Sequence, residues 1–211
     1  MFRDRKDAGE RLAALLLHLK DRAPVVLALP RGGVAIGSEI ARLLAAPLDV
    51  VLVRKIGVPW QQELALGAVA DGGTPEIFID ERMAESLTIP GDYVREETTR
   101  QMAELERRRQ IYCAGRPLLE VAGRTAIVVD DGIATGATMR VALRAVRRRG
   151  PAWLVLAAPV AAAETLAALA DEADETVCVA APEGLGAIGY YYEDFHQMDD
   201  DEVTALLARD T

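Results

Sequence analysis

The sequence predicts an α/β fold, a doubly wound parallel sheet with helices on both faces. Two observations predict it. Short runs rich in Val, Leu, Ile and Ala at 25–29, 48–54, 125–129, 152–158 and 176–180 alternate with helix-length stretches at 35–45, 139–149 and 162–170. Such alternation builds βαβ units and a parallel sheet. The runs are also apolar throughout instead of alternating, as expected of strands buried on both faces.

Each element has its own justification. Residues 11–19 are apolar enough for an N-terminal helix packed on the body. The run 25–29 is followed by Pro30-Arg31-Gly32-Gly33-Val34, a turn that opens the helix 35–45. The next strand, 48–54, ends in Arg54-Lys55, and Pro59-Trp60-Gln61-Gln62-Glu63 reads as a loop. Segments 64–70 and 76–79 flank Asp71-Gly72-Gly73-Thr74-Pro75, a hairpin signal. Residues 81–115 are charged and helical, with a narrow stripe of Val94, Met102, Leu105 and Tyr112, and read as an inserted lid or oligomer contact. The helix 139–149 stops at Gly150-Pro151, with Arg147-Arg148-Arg149 complementing its dipole. Arg107-Arg108-Arg109 lies on the insert, with Glu104 four residues before Arg108, and reads as a solvated face. The Ala-rich stretch 157–170 is read as helix-forming after Pro159, and 200–208 as a final helix. The whole is one domain over 1–211, with a core at about 23–182, the insert at about 81–115 and a C-terminal segment at about 183–211.

The stretch Ile127-Val128-Val129-Asp130-Asp131-Gly132-Ile133-Ala134-Thr135-Gly136-Ala137-Thr138 carries the chemistry. Asp130 and Asp131 fall at the carboxyl end of a strand, where open α/β sheets place ligands. Gly132 and Gly136 permit turns that aim consecutive N–H groups inward, Thr135 and Thr138 add hydroxyls, and a helix begins beside them. Inward amides at a helix N-terminus bind anions. The carboxylates would repel a phosphate but suit neutral hydroxyl donors. The ligand this pattern describes has a phosphate and a vicinal diol a few ångströms apart: a sugar phosphate.

This order, Asp-Asp-x-x-x-Thr-Gly-x-Thr after an apolar strand, resembles the signature by which type I phosphoribosyltransferases bind 5-phosphoribosyl-1-pyrophosphate (PRPP). The resemblance implies that Asp130 and Asp131 hold the ribose hydroxyls and are the catalytic pair. It implies that Ala134, Thr135, Gly136, Ala137 and Thr138 hold the 5′-phosphate. The upstream Arg31, Gly32 and Gly33 are similar to the loop that grips pyrophosphate in that family, and either Arg54 or Lys55 would add charge there. Tyr190, Tyr191 and Glu193, in a tail holding three of the five tyrosines, loosely resemble the base pocket of purine-salvage members. The bland alternative is that these aromatics seal the last helix onto the core. The tail would then form a hood-like segment over the site.

The resemblance implies a Mg²⁺-dependent transferase of nucleotide metabolism, moving 5-phosphoribosyl from PRPP to a nitrogenous small-molecule acceptor with release of pyrophosphate, and a possible homodimer. The alternative is a PRPP- or nucleotide-binding regulator without turnover. A phosphatase using Asp130 as nucleophile fits poorly, because it needs Asp-x-Asp near the first strand. His196 is a candidate proton donor or a surface residue; His18 lies in the N-terminal helix. Cys113 and Cys178 have no metal-ligand spacing and form no disulfide framework. A net charge of −9 over 211 residues argues against nonspecific nucleic-acid binding. With 51% hydrophobic residues, no run long enough to span a membrane and no signal-peptide core at the start, a cytoplasmic location is expected.

Overall fold

The structure, a computed structural model, describes residues 1–71, 76–113 and 116–209. Five parallel strands form the main sheet: β1 (Val25–Ala28), β2 (Leu48–Val50), β6 (Thr125–Val129), β7 (Trp153–Val160) and β8 (Glu175–Ala180), in the order β2-β1-β6-β7-β8. Three antiparallel strands form a second sheet: β3 (Val53–Val58), β4 (Gln61–Ala70) and β5 (Glu76–Ile79). The helices are α1 (Arg5–Leu15), α2 (Gly32–Leu44), α3 (Glu81–Ser86), α4 (Gly91–Cys113), α5 (Ala137–Arg148), α6 (Ala163–Leu169) and α7 (Asp200–Arg209). Among the described residues no helix is long and apolar enough to cross a membrane.

Alternate residues of the central strands serve two separate cores, because successive side chains leave a strand on opposite faces. Val26, Ala28, Ile127, Val129, Val155 and Ala157 pack under residues of α1, α2 and α7. Val25, Leu27, Ala126, Val128, Leu154 and Leu156 pack under α5 and Leu169 of α6. Every residue of β1 and β6 is buried, which is why these strands read as unbroken apolar runs. Pro159 sits inside β7, beyond the last residue paired to β6, Ala157. A missing N–H costs little there, so the strand expected to end at 158 runs on to Val160, and the helix expected at 162–170 spans Ala163–Leu169.

Three further expectations are corrected. The first helix begins at Arg5, not residue 11, because Asp4 caps it by accepting from the Asp7 N–H at 2.8 Å. The strand expected at 48–54 is two strands in different sheets. Leu52 N–H donates to the Asp71 carboxylate at 2.8 Å while Asp71 N–H donates to Leu52 O. This exchange turns the chain out of the parallel sheet, so Arg54 and Lys55 lie on β3 instead of ending β2. The loop expected at 59–63 is a tight turn at Pro59-Trp60, after which β4 pairs back onto β3 through irregular register at Gly57. Segments β4 and β5 pair antiparallel as the hairpin signal requires; residues 72–75 at its tip lie outside the described residues.

The helical stretch 81–115 is two helices broken at residues 87–90, and residues 114–115 lie outside the described residues. Helix α4 is fastened firmly. Leu105 and Tyr112 are buried, and Tyr112 Oη donates to the Asp200 carboxylate at 2.6 Å. Arg107 and Arg108 pair with Glu104 on the solvent side, but Arg109 does not join them. It is inserted between Asp49 and Asp71, with side-chain exposure of only 16%. The triple-arginine run is therefore two surface residues and one buried clamp.

Candidate functional site

Sheet order places the site. Strands β1 and β6 are adjacent and parallel, with Ala28 opposite Val129. The chain leaves β1 for α2 on one face and β6 for α5 on the other. Their carboxyl-end loops therefore diverge around a crevice at the topological switch point, where ligands of open α/β sheets bind. Residues 30–33 and 130–138, about 100 positions apart in sequence, meet there. Glycine makes the approach possible. A Cβ on Gly33 would lie 2.8 Å from Val129 O and 3.0 Å from Asp130 Cα, and one on Gly32 only 1.8 Å from Asp131 Oδ2. The Pro30–Arg31 peptide is cis.

The second loop forms a cradle. Asp130, Gly132, Ile133, Ala134, Thr135, Gly136, Ala137, Thr138, Met139 and Ile188 line a cavity of about 210 Å³. Its far wall is strapped down: Ile133 N–H donates to Val160 O at 2.9 Å, and Ala162 N–H to Ile133 O at 3.1 Å. Thr165 of α6 donates its hydroxyl to Ala134 O at 2.6 Å. Gly136 caps α5 with φ +74°, a left-handed conformation that favours glycine. A Cβ there would also meet Thr165 Cγ2 at 2.7 Å. Helix α5 starts at Ala137, so its unpaired first-turn amides and the Thr138 hydroxyl border the cavity. The arrangement suits a tetrahedral oxyanion.

The two acids are not equivalent. Asp130 lines the cavity and accepts from the Asp131 N–H at 2.8 Å. Burial, reinforced by the neighbouring Asp131 charge, pushes its carboxyl well above the usual carboxylate range. Asp131 is bonded to Arg5, whose Nε reaches Oδ2 at 2.8 Å, with side-chain exposures of 10% and 14%.

The cations surround the crevice. Arg31 occupies the N-cap position of α2. Arg54 lines a small cleft with Leu29, Pro30 and Thr138, and its Nε donates to Gln101 at 3.0 Å. Burial and then the nearby Arg108 lower its pKa. Lys55, one residue on, lines a different cavity of about 350 Å³ with Thr135, Thr138 and Arg140. Among the described residues Arg31, Arg54 and Lys55 make no ion pair within 4.0 Å, although most arginines of the chain do.

The tail residues Tyr190, Tyr191 and Glu193 lie apart from the cradle. Tyr190 is 77% exposed, Glu193 is exposed and donates its N–H to Phe2 O, and Tyr191 packs on the core. None of the three lines the cradle cavity. The tail residue that does is Ile188, and a Cβ on Gly132 would strike it at 2.4 Å. Tyr192 is buried between Phe2 and Phe195, with ring centroids 5.3 and 4.9 Å away, and its hydroxyl donates to Asp131 O at 2.6 Å. Burial, and then the Asp131 charge, raise its pKa and keep it protonated as a donor. His196 turns its ring to Glu202 at 3.0 Å and contributes only its carbonyl oxygen, which accepts from Arg5. His18 pairs with Glu175 at the edge of the molecule.

The family model described as "Phosphoribosyl transferase domain" matches residues 3–191. The chain belongs to the phosphoribosyltransferase family. A protein of Mycobacterium tuberculosis, provisionally named a phosphoribosyl transferase, is 43% identical over 209 residues, found alike in two strains of that organism. That alignment covers 99% of this chain and 47% of the relative, so the chain spans about half the length of the curated proteins it matches. A crystal structure from Thermus thermophilus superposes with a TM-score of 0.85 at 43% identity, covering 99% of this chain and 98% of that one. The parallel α/β sheet read from the alternation of strands and helices is observed, and it is the phosphoribosyltransferase fold that the resemblance implied.

Two site residues escape a reading of the sequence. Ile188 sits in a tail whose tyrosines are the more conspicuous residues. Arg5 lies 126 positions from its partner. Its only local signal is the Asp4 cap, which places it in the first turn of α1.

Proposed function

We propose that the chain transfers 5-phosphoribosyl from PRPP to a nitrogenous small-molecule acceptor, releasing pyrophosphate. One observation carries the reading: the amide-lined cradle at 134–138, the acidic pair and the Arg31-Gly32-Gly33 turn share one crevice at the sheet's switch point. The cradle takes the 5′-phosphate and the carboxylates take the ribose hydroxyls. The turn takes pyrophosphate on its helix-end amides. Arg54 is the cation assigned to that side, because it faces the same cleft as Pro30, while Lys55 faces the other flank of Thr138.

In the reaction the C1–O bond to pyrophosphate breaks and a C1–N bond forms to the acceptor, which gives up its proton. Positive charge develops on the ring as negative charge collects on the leaving group. The chain's contribution is to fix both ends of the substrate and to offset the leaving charge with Arg31 and Arg54. Ile188, the tail residue at the cavity wall, is the side chain offered to an acceptor entering beside the sugar.

Among the described residues no three His, Cys, Asp or Glu groups are placed to hold a metal. One carboxylate, Asp130, faces the cavity. That donor set fits Mg²⁺ carried chiefly by phosphate and hydroxyl oxygens. Such an ion would neutralise pyrophosphate charge, with Asp130 sharing it. A cytoplasmic location accords with a substrate of nucleotide metabolism.

The test is release of pyrophosphate when the protein is incubated with PRPP, Mg²⁺ and pooled bases. Release with one base identifies the acceptor. Tight PRPP binding without release by any base overturns the transferase reading in favour of a binding protein. Asp130→Asn combined with Asp131→Asn should abolish PRPP binding; unchanged calorimetric affinity in that variant would refute the site.

A further inference from the structure

Arg5 does more than cover the acidic pair. Its Nε occupies Asp131 Oδ2 at 2.8 Å. Its Nη1 donates to His196 O at 2.8 Å, and its guanidinium lies 4.1 Å above the centre of the Phe195 ring. Asp131 is held a second time, through its own carbonyl, by the Tyr192 hydroxyl at 2.6 Å. Tyr192 is itself sandwiched between Phe2 and Phe195. Phe2 N–H donates to Tyr191 O, and Glu193 and Asp194 donate back to Phe2 O and Arg3 O. Residues 2–3 and 191–194 are thus laced together, and the knot closes on Asp131.

A guanidinium with its nitrogens already engaged elsewhere cannot slide or rotate freely. It fixes the plane of the carboxylate it binds, as a mobile lysine ammonium would not. Among the described residues Arg5 is the one cation bonded to the Asp131 carboxylate, through Oδ2, and the adjacent Asp130 carboxyl is its other side-chain neighbour. The groups on the opposite side of Arg5 are Asp4, Lys6, Asp194, His196 and Glu202, around a separate cavity. They do not approach Asp131.

We propose that Arg5 is a positioning residue: it orients the Asp131 carboxylate toward a ribose hydroxyl of the bound sugar phosphate, and it makes the sugar site depend on the docking of residues 2–5 against 191–196. The proposal rests on the PRPP reading given above. It assigns a role to a residue outside the acidic signature and the glycine turn.

The test is a double-mutant cycle on PRPP affinity by calorimetry in Mg²⁺ buffer. Wild type, Arg5→Gln, Arg5→Lys, Asp131→Asn and Arg5→Gln/Asp131→Asn are compared, and each is checked for folding by thermal melting. Arg5→Gln should weaken PRPP by about tenfold or more, the loss of one oriented, charge-assisted contact. Arg5→Lys should recover part of that loss. If Arg5 acts through Asp131, the double variant binds no worse than Asp131→Asn alone. Fold-losses that multiply, or an Arg5→Gln variant with wild-type affinity, overturn the proposal. Should Arg5→Gln fail to fold, Arg5→Lys completes the same cycle. If wild type binds no PRPP, the ligand reading fails by itself. Amide exchange at 131–133, referred to 126–128, then decides the Arg5 role: faster exchange in Arg5→Lys supports it, and unchanged exchange overturns it.

Discussion

Replacing Gly32 by alanine probes the junction of the two loops with a single methyl group. The new Cβ would stand 1.8 Å from Asp131 Oδ2, 2.4 Å from its Cγ and 3.0 Å from Arg5 Nε. An ordinary carbon–oxygen contact is about 3.3 Å, so the carboxylate must retreat by roughly 1.5 Å. Arg5 cannot follow, because it is anchored to His196 O and Phe195. The 2.8 Å bridge therefore breaks. Overpacking costs about 1–3 kcal/mol, and losing a hydrogen bond between charged, little-exposed groups about 1.5–3 kcal/mol. Together this is about 2.5–6 kcal/mol, which leaves an ordinary domain folded but loosened. For a chain of this size the melting temperature should fall by about 5–24 °C, and PRPP affinity should fall with it. Gly123→Ala is the control: nothing lies within 4 Å of its Cβ, so only the strain of φ +70° remains, about 1–2 kcal/mol. Scanning calorimetry and PRPP titration of both variants read the result. A Gly32→Ala protein that melts within about 2 °C of wild type and binds PRPP normally would show that Asp131 does not stand against the glycine turn.

Three further perturbations test other parts of the molecule. Hydrogen bonds from Arg107 and then Arg108 lower the Glu104 pKa to about 2. Its folded-state pKa is depressed, so its contribution to stability is complete above the unfolded value and is lost as pH falls toward 2; a carboxyl NMR titration midpoint near 4.5 would contradict the pairing. Burial pushes the Cys113 thiol up to about 11, so in a Cys178→Ser background a thiol reagent at pH 8 should label it only after denaturation. Arg109 is the cation between Asp49 and Asp71; Arg109→Met strands two buried carboxylates and should cost about 3–5 kcal/mol in urea unfolding, whereas Arg107→Met on the solvent side should be nearly silent.

The fold was legible because its signal is local. Each strand of the parallel sheet is short, apolar and flanked by turn residues, so burial on both faces shows in the sequence. The cradle was equally legible, since residues 130–138 form one continuous stretch whose glycines and hydroxyls are read in order. The misreadings fall where a distant partner overrides local pattern. Val53 continues the apolar run of β2 in sequence, yet Asp71, 19 positions from Leu52, diverts the chain into a second sheet. The Arg107–Arg109 run looks uniformly solvated, and only the folded position of Asp49 and Asp71 draws one member inside. In the tail no local pattern marked Ile188: pairing with Phe2 holds Tyr192 in the structure, and Ile188 stands at the cavity.

By itself the sequence determined the layered α/β architecture and the strand–loop–helix course of the main loop, because periodicity, glycine placement and adjacent carboxylates are properties of contiguous residues. Only the tertiary structure decided how the acidic pair is divided. Strand order brings Gly32 against Asp131, and the docking of residues 2–5 on the segment 191–196 brings Arg5 and Tyr192 to it. Contacts across 61 and 126 positions leave no mark on the residues between them, because that intervening chain is selected for its own packing.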